Sequence, residues 1–162
     1  MFKLISKTIA AVAIVSVALF GSANAKTLKI ETHFTASSPN GEVAAQFAKN
    51  VEMFSGGSLK VEMFYSSSVT GKSAEVFNSA QTGIIDCDMT GAGYQTGKNA
   101  AFQFAGDVMG GYDNPYQQYE FLNFPGAQEA VDALYNKYGM TLIGWWIPGH
   151  ESLISSRPIP DV

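Results

Sequence analysis

A nucleophile, a metal cluster and a phosphate cradle each need particular residues at particular spacings, and this chain holds the parts of each at the wrong spacing. Cys87 is the only cysteine, so no internal disulfide can form. It stands in an apolar run, with neither His33 nor His150 near it in sequence to act as a base, and reads as a buried, inert thiol. The two histidines are too far apart to suggest a metal pair. Asp86 and Asp88 share one strand face without further ligands, which predicts a solvated or cap-bonding pair. Gly71-Lys72-Ser73 has the ending of a phosphate-binding loop, but Ser66 stands where its first glycine belongs. Gly97-Lys98 fails in the same way, with Ala92 at that place and Asn99 after the lysine. Gly91-Ala92-Gly93 is followed by Tyr94-Gln95-Thr96 and misses the third glycine of a dinucleotide fingerprint. No Gly-x-Ser-x-Gly occurs. Nothing points to paired-carboxylate chemistry, which the sequence leaves open, and the residues singled out next suit non-covalent work: hydrogen bonds and aromatic walls around a ligand.

Six residues are candidates for that role: His33, Phe34, Gly91, Tyr94, Trp146 and Glu151. His33 ends a strand and is expected to face away from Phe34. It is either an exposed strand-end histidine or a hydrogen-bond donor to a ligand. Tyr94 follows small residues that allow close backbone approach, Gly91 among them, and reads equally as ligand contact or edge packing. Trp145 and Trp146 are expected on opposite faces of one strand, one in the core and the other, Trp146, a cleft wall. Glu151, just past Pro148-Gly149, is either solvated or touches a ligand hydroxyl, an ammonium or a bound cation.

These residues need elements to hold them. Leu28, Ile30, Thr32 and Phe34 alternate with Lys29, Glu31 and His33, the period of a half-buried strand. The cluster from Thr35 to Gly41 predicts a turn and helix cap. Val43, Phe47, Val51 and Phe54 recur at helical spacing until Gly56-Gly57. Leu59, Val61, Met63 and Tyr65 give a second strand. A short helix over Ala74–Ala80 follows, then a third strand from Ile84 to Thr90. Residues Phe102 to Gly111 are apolar without a period and receive no assignment. Asn114-Pro115 starts one helix, and Gly126 to Tyr138 forms another. Met140–Ile147 reads as a fourth strand and Leu153–Ser156 as a fifth. Alternation of strand and helix predicts the α/β class with a mostly parallel sheet. Ligands of such sheets bind at strand carboxyl ends, which gathers the loops 33–40, 90–97 and 148–152.

The start of the chain reads as an export signal. Lys3 and Lys7 precede an apolar run from Ile9 to Phe20, and Ala23-Asn24-Ala25 offers a cleavage site between Ala25 and Lys26. The run is too short to span a bilayer, so no stable membrane insertion is expected after cleavage. The formal charge of −4 becomes −6 without Lys3 and Lys7, and Arg157 is the only arginine. No basic patch exists, which argues against nucleic acid as a partner.

The order and spacing of several segments carry a family resemblance. They are Leu28-Lys29-Ile30 with His33 to Pro39, Ala45 to Val51, Ser55 to Val61, Thr82 to Met89, and Gly144-Trp145-Trp146 through Ser156 to Ile159. Over Lys26 to Val162 the chain resembles the DctP-type solute-binding proteins of tripartite ATP-independent periplasmic (TRAP) transporters. The resemblance implies a periplasmic binding protein of type II-like fold, two-lobed with a hinge cleft. Residues 1–25 would be the signal peptide, 26–150 lobe one, and 151–162 the start of the crossover. It implies a periplasmic, non-enzymatic protein that captures a small organic anion for the membrane subunits of a TRAP permease driven by an ion gradient. A 2-oxo or 2-hydroxy acid suits an aromatic wall. No cofactor is implied, and a cation bridging ligand and protein stays open. Glu151 falls where sialic-acid-binding members carry arginine, which argues against that ligand. The family's carboxylate-clamping arginine is expected beyond Val162, and Arg157 does not match it. A sensor subunit of the same fold is the alternative reading.

Overall fold

The computed structural model describes residues 25–106, 108, 110–147 and 155–158. Three strands form a parallel sheet of order β2-β1-β3: β1 is Lys26–Thr32, β2 Leu59–Phe64 and β3 Cys87–Met89. β1 pairs along six residues with β2, from Lys26 opposite Leu59 to Glu31 opposite Phe64. On its other side it pairs Ile30 with Cys87, Glu31 with Asp88 and Thr32 with Met89. The chain moves outward from β1 to β2 and then crosses back to the far side. That reversal lies between β1 and β3, where a doubly wound sheet opens a crevice at its carboxyl ends.

Helix α1 (Pro39–Phe54) starts where the sequence stacks its cap signals. Ser38 Oγ accepts the amide of Gly41 at 3.1 Å, Pro39 needs no partner at the first turn, and Glu42 complements the helix dipole. Gly56 and Gly57 then take positive φ and turn the chain into β2. Glu52 fastens helix to strand, its Oε1 accepting the Val61 amide at 3.0 Å.

α2 (Ser73–Gln81) buries Val76 and Phe77 completely. A 3-10 helix over Ala92–Gln95 and a second over Ala100–Ala105 follow β3, and the latter occupies much of the aperiodic apolar stretch. α3 (Pro115–Asn123) and α4 (Pro125–Asn136) each begin with proline. Asn114 Oδ1 caps α3 by accepting the amides of Tyr116 and Gln117.

The core joins these pieces. Phe77 of α2, Ala92, Phe102 and Leu134 of α4 form one buried cluster, with Tyr135, Tyr138 and Met140 packed on it. The Phe77 and Phe102 rings meet edge to face at 5.8 Å, and Phe102 meets Tyr135 at 5.2 Å.

Three expectations need correction. The third strand is only three residues long. Gly83 (φ 77°) and the turn after it send the amides of Ile84 and Ile85 to Ser79 O, so residues 84–86 cannot join the ladder in full. Met140–Ile147 is not a strand; its described residues have no ladder partner and hang on α4, where Asp132 Oδ1 takes the Leu142 amide at 3.2 Å. With no strand there, Trp145 and Trp146 have no sheet faces to divide. The expected fifth strand, the loop 148–152 and the signal segment 1–24 lie outside the described residues, apart from Ser155 and Ser156, which are not in a strand.

Candidate functional site

β1 ends at Thr32, one residue before the first candidate. The Phe34 amide turns back to Thr32 Oγ1 at 3.4 Å, and strand alternation stops there. His33 and Phe34 therefore do not face opposite ways as expected: their rings lie 3.9 Å apart between centroids, tilted by 37°. The loop after β2 supports this turn. Ser66 donates its amide to Phe34 O and Ser67 donates to Thr32 O, with both serines in the left-handed region at φ 58° and 50°. Two adjacent non-glycine residues in that region cost on the order of 1 kcal/mol each, so the surrounding contacts must hold them there.

From the other side, β3 delivers Gly91 and Tyr94. Gly91 has an ordinary φ of −74° and opens the first 3-10 helix. That helix turns Ala92 and Gln95 inward, where both are buried, and leaves Tyr94 outward, about half exposed. A Cβ at Gly91 would lie in ordinary contact with the Tyr94 ring, 3.7 Å away. The Tyr94 ring stands edge-on to His33 at 5.2 Å. Trp146 completes the group, its ring 6.2 Å from Phe34.

Five of the six sequence candidates thus meet at the β1/β3 switch; the sixth, Glu151, lies outside the described residues. Burial lowers the pKa of His33, which favours the neutral imidazole. Its Nδ1 is buried without a hydrogen-bond partner. Glu31 Oε2 and Ser67 Oγ are in the same condition, and all three residues lie at the carboxyl ends of β1 and β2. Buried polar atoms are ordinarily satisfied, so these three are candidates for contact with water or a ligand.

Glu31 escaped the sequence reading. Strand alternation put it on the polar face, yet it is fully buried, because its Oε1 accepts the amides of Val69 at 2.6 Å and Thr70 at 3.4 Å. Its register with Asp88 on β3 was also invisible before the sheet order was known. The two aspartates take different partners, and neither caps a helix: Asp86 Oδ2 accepts the Lys29 amide at 2.8 Å, and Asp88 Oδ1 accepts the Thr90 hydroxyl at 2.6 Å. Cys87 is half-buried rather than buried. Desolvation, reinforced by Asp86 and Asp88, raises its pKa, so the thiol stays protonated. Among the described residues, no group of three or more His, Cys, Asp or Glu side chains could hold a metal. None of their helices is long and apolar enough to cross a membrane.

The arrangement is a group of aromatic rings around a half-buried histidine whose burial favours the uncharged form. Comparison with known proteins then decides the family: bacterial extracellular solute-binding protein, family 7, of DctP type, matches residues 30–162. The chain belongs to that family. This is a family of transport proteins rather than of enzymes.

Among solved structures, a TRAP periplasmic solute-binding protein from Rhodobacter sphaeroides, in an open form without ligand, is 26% identical. The match covers 73% of this chain and 37% of that one, with a TM-score of 0.67. A TRAP solute-binding protein from Bordetella bronchiseptica, with calcium and picolinate in its site, is 21% identical, covering 70% and 34% with a TM-score of 0.64. One from Pseudoalteromonas atlantica, with sodium and pyruvate bound, is 19% identical, covering 72% and 35% with a TM-score of 0.62. The last two speak to the fold alone, and they bear out the α/β, parallel-sheet architecture of a TRAP solute-binding protein. The chain spans little more than a third of the length of these proteins. No curated protein sequence matches it.

Proposed function

We propose that the full-length protein is a periplasmic solute receptor, not an enzyme, and that it captures a small organic anion for a TRAP permease. The favoured ligand is a 2-oxo or 2-hydroxy carboxylate. One observation carries this reading: the buried, unpartnered Nδ1 of a neutral His33 inside the rings of Phe34, Tyr94 and Trp146, at the sheet's switch point. A neutral imidazole offers a donor to a carboxylate without requiring a counter-charge, and the rings exclude water around a short ligand. Glu151 remains a proposed contact to a ligand hydroxyl or to a cation beside the carboxylate. Picolinate with calcium and pyruvate with sodium in the related structures support both halves of that idea. Export would follow cleavage between Ala25 and Lys26.

The test is calorimetry on the full-length, signal-free protein with pyruvate, lactate and picolinate, with and without sodium or calcium. Saturable binding is expected, with Trp146→Ala weakening it at least about tenfold, as loss of a buried aromatic anchor does. Binding of neutral sugars or phosphate esters alone would overturn the ligand class. Unchanged affinity in Trp146→Ala would remove that residue from the wall. N-terminal sequencing of the periplasmic fraction should begin at Lys26, and an uncleaved cytoplasmic protein would overturn the location.

A further inference from the structure

Beneath the aromatic wall, two carboxyl side chains face one another across the sheet. Glu31 and Asp88 are direct register partners on β1 and β3, so both project from the same face. Glu31 is fully buried, and its Oε2 has no partner. No lysine, arginine or histidine pairs with either carboxylate: among the described residues the one ion pair is Lys60 with Glu52, elsewhere in the fold. The other groups around the pair are Thr90 and Cys87 on β3 and its loop, Asp86 and Lys26 on either side of Cys87, Tyr135 on α4, and His33 two residues beyond Glu31. Lys26, whose charge reaches Cys87, is the cation among them when His33 is neutral, and it forms no ion pair with either carboxylate. A fully buried carboxylate and a half-buried one side by side, with no ion-pair partner for either, do not both ionise at little cost.

We propose that Asp88 keeps a proton beside its register partner Glu31, and that this proton couples the loop after β2 to the loop after β3 under the candidate site. The carboxylate of Glu31 ties down the Val69 and Thr70 amides and so fixes the loop whose Ser66 and Ser67 brace Phe34. Asp88, through the Thr90 hydroxyl, sits at the root of the segment that carries Gly91 and Tyr94. With the proton in place, both loops rest on a pair of net charge −1. When it leaves, repulsion between the two carboxylates pushes the loops apart.

The acid–base behaviour of Asp88 agrees. Desolvation first, and then the charge of Glu31, push its pKa from 3.8 up to about 6, against the opposing hydrogen bonds from Thr90. The folded state thus keeps a proton that the unfolded chain releases near 3.8. Stability conferred by this proton is lost as pH rises through that window towards about 6. His33 acts in the opposite sense in an overlapping range, so the informative quantity is the difference between wild type and a variant of the pair.

The experiment follows the melting temperature of the full-length protein from about pH 4 to about pH 8 in metal-free buffer, for wild type, Asp88→Asn and Glu31→Gln. Infrared difference spectra of the wild type follow the protonated carboxyl band over the same range. Asp88→Asn should gain on wild type as pH rises and melt higher at neutral pH. Glu31→Gln should move the wild-type fall to lower pH. The carboxyl band should bleach with the same midpoint and be missing in Asp88→Asn. Asp88→Asn melting below wild type at neutral pH, or a wild type without the band at mildly acid pH, would overturn the proposal. The infrared result holds even if a variant fails to fold. Sodium or calcium restoring the wild type at neutral pH, but not Asp88→Asn, would also overturn it, because the pair would then hold a cation.

Discussion

His33 combines a half-buried ring, a lowered pKa and an unpartnered Nδ1. Its sign is opposite to that of an acid in the same setting. The unfolded chain takes up a proton near pH 6.5 while the folded one resists it, so stability is lost as pH falls below that value. His33→Asn should remove this acid limb, read as a wild-type-minus-variant difference in melting temperature, and should also weaken binding of a carboxylate at neutral pH. A difference curve that stays level on acidification would show that burial does not disfavour the charged ring. At this scale the sequence was informative about identity and poor about environment. Chain order placed His33, Phe34, Gly91 and Tyr94 on two strand-end loops, and those loops do converge. It gave no sign that Glu31, an apparent surface residue of an alternating strand, would be fully buried, because its amide partners lie 38 and 39 residues further along.

At the scale of elements, the loop 33–38 is held between a strand and a helix start, and both supports can be tested. Ser38 caps α1, so Ser38→Ala should cost about 1 kcal/mol of stability. Gly41 is the harder constraint: a Cβ there would collide with the carbonyl oxygen of Thr35, so Gly41→Ala must push loop and helix apart. In the full-length protein Gly41→Ala should lower ligand affinity, while Ser38→Ala lowers stability with little effect on affinity. Calorimetry and chemical denaturation on both variants separate the two. Equal affinities in Gly41→Ala and wild type would mean that the loop geometry does not shape the cleft. Helices were legible because their signals are local: Ser38-Pro39 and Asn114-Pro115 mark starts, and Gly56 and Gly139 mark ends, each with a positive φ. Strands depend on a distant edge. Met140–Ile147 has strand-like residues, but the only bond that holds Leu142 by its amide comes from Asp132 of a helix. The 3-10 helix at Ala100–Ala105 was illegible for another reason, since three residues per turn leave no amphipathic period in so short a run.

Across the described residues, one aromatic cluster links the candidate site to the helices behind it. Phe102 is fully buried and touches the rings of Phe77, Tyr135 and Tyr138, so it joins the second 3-10 helix to α2, α4 and the segment after α4. Ala92 belongs to the same cluster and is two residues from Tyr94. Phe102→Ala should therefore act twice. It should cost about 3–5 kcal/mol of unfolding free energy, as large-to-small changes in a packed core do. It should also loosen the 3-10 helix that presents Tyr94, whose amide bonds to Gly91 O at 3.1 Å. Hydrogen exchange can tell these apart. Amides of residues 93–96 should exchange faster in Phe102→Ala under native conditions, while β1 and β2, paired along six residues, keep their relative protection. If protection falls equally everywhere, the variant opens only by global unfolding, and the cluster supports the fold without positioning the tyrosine. If the loss is confined to the 3-10 helices and α4, then Tyr94 inherits its order from the buried cluster around Phe102.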